Sequence, residues 1–195
     1  MSEGLGQGSI AVTTVLTSGD LAELGVAGVL LDAFNREYDD PTPGPDVLAT
    51  RLAALLAAGD TDVLLVRPAV RVSGGVGDSA DSGNDAGTGA TWSGVAVLRY
   101  RASLWTPARE ATLAELYVTP RLRGQGLGRP LITAAIDRAA QQGVDYLDVV
   151  TSDDDVAAWR LYESVGFRRT EGEEGPLTRF YEQDLAPTDG SHTIG

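Results

Sequence analysis

Val118-Thr-Pro-Arg-Leu-Arg123-Gly124-Gln-Gly126-Leu-Gly128-Arg-Pro-Leu131 reads as the end of a strand, a basic glycine-rich turn and the start of a helix. Glycines at alternate positions let the backbone curl until several N–H groups point at one centre. At the positive end of a helix, that geometry binds phosphate. Arg121, Arg123 and Arg129 add positive charge beside it. The run therefore argues for a pyrophosphate-bearing cofactor, and its spacing bears on which one.

A nucleotide P-loop needs G-x-x-x-x-G-K-[ST], and neither Lys-Ser nor Lys-Thr follows these glycines. A dinucleotide fingerprint needs G-x-G-x-x-G, and here the third glycine, Gly128, comes one residue early. Coenzyme A is the third class. The run Val118-x-Pro120-x-x-Arg123-Gly124-x-Gly126-Leu127-Gly128 resembles the acyl-CoA-binding motif of the GNAT superfamily of N-acetyltransferases, whose core is R/Q-x-x-G-x-G/A. Ala158-Trp-Arg-Leu161-Tyr162-Glu-Ser-Val-Gly166-Phe167 is similar to that family's later A-x-x-L-Y-x-x-x-G-F signature. The close resemblance runs from about Leu113 to Phe167. A looser one, in Phe34-Asn-Arg-Glu-Tyr-Asp and the carboxylate before Leu116, points toward the aminoglycoside 3-N-acetyltransferase branch.

Composition bounds the rest. A chain of 195 residues fits one domain with its own core, and a hydrophobic content of 43% is ordinary for one. The absence of cysteine excludes disulfides and thiolate chemistry. The one histidine, His192, lies in a polar tail, which argues against a His-based triad or a His-rich metal site. No apolar run reaches transmembrane length and no basic segment precedes an apolar one at the start, so the expected setting is the cytoplasm, without a membrane. A net charge of −13 argues against nonspecific nucleic-acid binding.

Periodicity orders the chain. A loose Gly/Ser-rich stretch (1–8) precedes a strand from Ile10 to Leu16. A helix follows, capped near Ser18-Gly-Asp20, with Leu24, Ala27, Leu31 and Phe34 at helical spacing. The prolines of Asp39-Asp-Pro-Thr-Pro-Gly-Pro45 force a turn. Leu48, Leu52, Leu55 and Leu56 mark a second helix closed by Gly59, and Asp62 to Arg67 is a strand. Residues 73–91 are low in complexity and read as a mobile insertion in a hairpin connection. Strands are expected at Gly94–Trp105, Ala111–Val118, Tyr146–Val150, Phe167–Thr170 and Thr178–Leu185, with helices at Leu127–Gln142 and Asp155–Val165 and a polar tail from 187. The order matches the GNAT fold, a mixed α/β architecture in which about seven twisted strands are flanked by four helices, as a single domain over 1–195.

Acetyl transfer to an amine requires a held cofactor, a polarised carbonyl, a deprotonated ammonium and a stabilised thiolate. The turn meets the first requirement: Arg123, Gly124, Gln125, Gly126, Leu127, Gly128 and Arg129 are the expected cofactor-binding residues. The resemblance implies a strand splay at Leu116, Tyr117 and Val118, whose free backbone groups pair with the pantetheine arm and the acetyl oxygen. Glu115 is the candidate base. Alternation places it on one face with Tyr117, and Ala114 with Leu116 on the other, unless a bulge shifts the parity. The resemblance places the Tyr162 phenol near the sulfur as proton donor. Asp155 stands where the family often has a CoA-binding Asn, and it also suits a helix N-cap. Pro130 in the first turn lacks only an N–H that would be unpaired there anyway.

The expected cofactor is acetyl-CoA, and the expected partner is a small-molecule or peptide amine. Glu37-Tyr38-Asp39-Asp40 suits a cationic one. Monomer and homodimer both remain open. So do a GNAT-fold acyl-CoA sensor without turnover and a nucleotide- or NAD-binding protein.

Overall fold

The computed structural model describes residues 11–69, 91–170, 174–181 and 183. Its elements are β1 (Ala11–Val15), α1 (Leu21–Glu37), α2 (Pro45–Ala58), β2 (Thr61–Pro68), β3 (Gly94–Ala102), β4 (Arg109–Val118), α3 (Gly128–Gln141), β5 (Val144–Val149) and α4 (Val156–Ser164). The strands form one sheet in the order β1-β2-β3-β4-β5. Neighbours are antiparallel from β1 to β4, and β5 runs parallel to β4. That parallel step needs a crossover, which α3 supplies.

Strict alternation along β2 and β3 splits the core in two. Val63, Leu65, Val95 and Val97 face α1 and α2, packing on Leu24, Ala27, Leu31 and Leu52. Leu64, Val66, Ala96 and Leu98 face the other way, onto Leu131, Ile132 and Ala135 of α3 and Tyr162 of α4. Apolar residues on both faces are what a sheet covered by helices on each side requires.

The expected element order holds through α4, and among the described residues the sheet has five strands where about seven were expected. At the expected sixth and seventh strands, the described residues make a single bridge, Thr170 to Leu177. Two causes are visible. The Phe167 N–H is committed to the Tyr162 carbonyl at the end of α4, and Phe180 and Tyr181 are exposed, with no sheet face beneath them. The expected loose start (1–8), the tail (187–195) and all but Thr91 of the 73–91 insertion lie outside the described residues.

Local chemistry fixes the connections that matter for the site. Asp20 does not cap α1; its carboxylate instead accepts from the N–H and hydroxyl of Thr17. The α1–α2 link is pinned by Thr42 Oγ1 donating to Asp32 at 2.8 Å and by the Asn35 amide donating to the Pro41 carbonyl at 3.1 Å. At the far end of the sheet, Asp62 is 6% exposed. It accepts from Arg138 Nε at 2.7 Å and from the Tyr100 hydroxyl at 2.8 Å. This ties the C-terminal end of α3 to β2 and β3, so the helix that carries the glycine turn is anchored at the end away from it.

Removing the carboxylate leaves a guanidinium and a phenol that lose a charged partner. Asp62→Ala is expected to cost about 3 kcal/mol, the bottom of the range for breaking a buried pair because Arg138 keeps some access to water. Urea unfolding of the variant beside the wild type measures it.

Candidate active site

The site begins with one extra residue. Val97 of β3 pairs with Glu115 and Leu98 with Leu113, so Ala114 has no partner across the ladder. This is a β-bulge, and it switches the side-chain parity. Ala111 and Leu113 face the α3 core, as strict alternation would then place Glu115. After the bulge it is Leu116 and Val118 that face α3, while Tyr117 packs toward α1 and α2. Glu115, two residues from Tyr117 with no further shift between them, shares its face, as alternation predicts. Ala114 belongs to neither set; it is the bulged, exposed residue.

The same point ends the pairing with β5. The last registered pair is Leu113 with Val149, so residues 114–118 continue without a β5 neighbour. Strand β5 ends at Val149, so β4 runs on past it with the backbone polar groups of one edge unpaired by β5.

The chain leaves β4 through a short 3₁₀ turn, Pro120–Leu122, and enters the glycine run. Gly124 (φ +72°) and Gly126 (φ +84°) are both left-handed, which only glycine adopts cheaply. A side chain at Gly128 would press on Leu161 at 3.1 Å, so this glycine lets α3 begin close against α4. Among the described residues, no hydrogen bond takes up the N–H groups of Gly124, Gly126, Leu127, Gly128 and Arg129. These donors lie at or before the first turn of a 14-residue helix, where the helix dipole is positive. They fit a pyrophosphate.

Helix α4 places Tyr162. Asp155 caps it, its carboxylate accepting from the Ala158 N–H at 3.0 Å. Gly166 (φ +101°) closes it: the Phe167 N–H bonds the Tyr162 carbonyl and the Gly166 N–H bonds that of Glu163. The Phe167 ring packs on Tyr162 at 5.9 Å, completing a Schellman stop with its apolar contact. Tyr162 is thus held at both backbone and ring, and is 8% exposed. Burial, then the nearby Asp155, Tyr38 and Glu115, push its phenol up to about 12. It stays protonated at neutral pH and can act as a donor.

Glu115 approaches from the other face of the sheet. Burial raises its carboxyl above the ordinary carboxylate range, and among the described residues no hydrogen bond or ion pair engages it. A carboxylate in that state is a better proton acceptor than one in water. Beyond it stands an aromatic wall: Tyr38 meets Phe34 edge-on at 5.3 Å, and Phe34 meets Tyr117 at 5.3 Å.

The arginines of the turn play different parts. Arg123 points away from the exposed amides, to Glu37 and the Val118 carbonyl. Arg129 reaches back to the Ser164 hydroxyl at 2.8 Å. Arg121 has no side-chain partner among the described residues. Counting three residues back from Gly124 in R/Q-x-x-G-x-G/A also reaches Arg121, not Arg123. Motif spacing was the signal that could have added it to the expected site.

A model of the acetyltransferase (GNAT) family matches residues 86–167. A solved protein from Arthrobacter sp. FB24, described provisionally as an acetyltransferase, superposes with a TM-score of 0.69. It is 32% identical, over 91% of this chain and 97% of that one. The chain belongs to the GNAT family. Among curated relatives, the N-alpha-acetyltransferase RimI of Mycobacterium tuberculosis is 44% identical over 76 residues, 39% of this chain and 44% of that protein. The mycothiol acetyltransferase of Beutenbergia cavernae is 36% identical over 69 residues, 34% of this chain and 23% of that protein. The chain thus matches less than half the length of these curated relatives.

The raised carboxyl of Glu115 gives a stability test. The native state holds that proton more tightly than the unfolded chain, so stability falls as pH rises from the ordinary value of 4.5 through the raised one. Glu115→Gln lacks this loss. Its urea midpoint is expected above wild type near pH 7, and the gap should close as pH falls below the ordinary glutamate range.

Proposed function

We propose that the protein is a cytoplasmic N-acetyltransferase that moves an acetyl group from acetyl-CoA to a primary amine by direct transfer. One observation carries the reading. Past the end of β5, the unpaired edge of β4 leads into five N–H groups without a hydrogen bond among the described residues, at Gly124, Gly126, Leu127, Gly128 and Arg129, and Tyr162 shares a core with Leu116, Val118 and Leu127.

Acetyl-CoA, when bound, supplies a thioester-activated acetyl carbonyl. The five amides hold the pyrophosphate, and Gln125 stiffens their turn by donating its side-chain amide to the Arg121 carbonyl at 2.9 Å. Free backbone groups of Leu116, Tyr117 and Val118 line the pantetheine arm, and an N–H among them polarises the carbonyl. The Val118 carbonyl accepts one bond from Arg123 and keeps a second lone pair for the arm. Asp155, committed to capping α4, acts by fixing Tyr162.

Glu115 accepts the proton of the incoming ammonium, directly or through a water. The neutral nitrogen would then form the C–N bond as the C–S bond breaks; Tyr162 would give its phenolic hydrogen to the departing sulfur, and the second proton lost by the nitrogen would restore the phenol. Holding both partners in line accounts for much of the rate in such a site. Burial of Glu115 and Tyr162 keeps both proton-transfer groups in a low dielectric, where their hydrogen bonds are strongest.

Calorimetric titration with acetyl-CoA tests the cofactor. Wild type should bind, and Gly126→Asp, with a carboxylate among the phosphate donors, should lose binding by at least about 100-fold, two tenfold steps of roughly 1.4 kcal/mol each. Folded wild type that ignores acetyl-CoA sinks the reading.

Thiol release with a panel of polyamines, amino acids and peptides tests the chemistry. Tyr162→Phe should lower kcat roughly 100-fold, the scale of one proton-transfer group, with acetyl-CoA affinity kept. An unchanged rate removes Tyr162 from the mechanism. The pH profile should rise along an acid limb lying above the ordinary carboxylate range, set by Glu115 and absent in Glu115→Gln. Tyr162, at about 12, adds no alkaline limb near neutrality.

A further inference from the structure

Glu37 is the last residue of α1 and lies 86 residues before Arg123, yet the two side chains meet fork to fork. Arg123 Nη1 donates to Oε1 at 2.6 Å and Nη2 to Oε2 at 2.8 Å. The third donor, Nε, goes to the Val118 carbonyl at 2.9 Å. The guanidinium lies over the Tyr117 ring at 5.4 Å. One planar group thus joins the end of α1, the end of β4 and the residue that opens the glycine run. A bidentate pair fixes direction as well as distance, which a lysine at the same place could not do.

The glycine turn needs such an anchor. Its own hydrogen bonds are few: Arg123 N–H to the Pro120 carbonyl at 3.2 Å, Gln125 N–H to Leu122 at 3.4 Å, and the Gln125 side chain to Arg121. Gly124 and Gly126 give it no side chains and raise its entropy when loose. Amides that must converge on one anion bind well only if they are held before it arrives. Neighbouring Arg36 pairs within its own helix, with Asp32 at 2.7 Å, so it leaves Glu37 to reach across to the turn.

We propose that Glu37 is a positioning residue for cofactor binding, holding the glycine turn in register with β4 through the guanidinium of Arg123. The proposal rests on the acetyl-CoA reading above. It assigns Arg123 a different part from that of a phosphate ligand: its charge is spent on Glu37 and its geometry builds the cradle. Because Tyr38 directly follows Glu37, the clamp also seats the aromatic wall against the cofactor turn.

The sign of the effect separates positioning from plain charge. Acetyl-CoA is an anion, so deleting a nearby carboxylate should tighten binding if Glu37 acts only through its field. A positioning role makes Glu37→Gln weaken it.

The experiment is calorimetric titration of acetyl-CoA into wild type, Glu37→Gln, Arg123→Lys, the double variant and Arg36→Gln, each checked for folding by its thermal transition. Glu37→Gln and Arg123→Lys should each raise Kd about tenfold, within the usual span of coupling between sites. The double variant should be no worse than either single one, since one clamp is lost once. Arg36→Gln, which breaks an ion pair on the same turn of helix without touching the cradle, should bind as wild type does.

Equal or tighter binding by Glu37→Gln overturns the proposal and leaves the acetyl-CoA reading standing. A loss in Arg36→Gln as large as that in Glu37→Gln also overturns it, because loosening the end of α1 would then suffice. A folded wild type that does not bind acetyl-CoA overturns both.

Discussion

The structure turns on a single unpaired residue. Ala114 interrupts the β3–β4 ladder, and at the same point β4 runs past the end of β5. Either event alone would make a poor site. A bulge without the unpaired edge would re-aim Glu115 beneath a closed sheet. An unpaired edge without the bulge would leave Glu115 turned into the α3 core, a charged group among Leu98, Leu131 and Ile132 that burial would force neutral. Together they place a carboxylate and a row of backbone polar groups on two sides of one opening. The structure tolerates them because the unpaired backbone lies where a ligand can satisfy it.

The rest of the fold reads as support for that opening. Its two cores lie on opposite faces of the sheet, and each supplies side chains beside the edge that β4 leaves unpaired past β5. Tyr117 and Phe34 of α1 come from one core, Tyr162 from the other. Helix α3 is fixed at its far end by Asp62 and at its near end by the contact of Gly128 with α4. The dipole and free amides of α3 are therefore presented by a rod whose position is set at both ends.

How much of this could be read from the chain depends on how local each cause is. The order of elements through α4 was legible because hydrophobic period, prolines and glycines mark it residue by residue. The Schellman stop at Gly166-Phe167 was legible for the same reason: Gly at C′ with an aromatic residue behind it is a local signature. The bulge was not. Nothing in Leu113-Ala-Glu115 marks Ala114 as extra, since the interruption exists only relative to β3. Two further strands were expected, at Phe167–Thr170 and Thr178–Leu185; among the described residues only a bridge forms there, and the cap of α4 takes the first of those amides, Phe167 N–H. The partner of Arg123 was equally hidden, because a contact across 86 residues leaves no pattern in a single sequence.

The electrostatics of the turn follow from the same long-range contacts. On the proposed reading, a chain of net charge −13 that takes an anionic cofactor faces a field of the wrong sign. Three arginines in the run suggest that cations solve the problem, yet Arg123 is neutralised by Glu37. Arg129 is held by uncharged groups of Ser164, and only Arg121 remains without a side-chain partner among the described residues. The greater part of the attraction must then come from backbone N–H groups and the end of α3, fixed partial charges that need no side chain to be ordered. Such donors fade within a turn of the helix, so the acidic surface elsewhere can stay acidic while the cradle remains positive at short range. A cradle of this kind depends on geometry far more than on net charge. That is why its shape, set by glycines at 124 and 126 and by the guanidinium that precedes them, matters more here than the number of arginines around it.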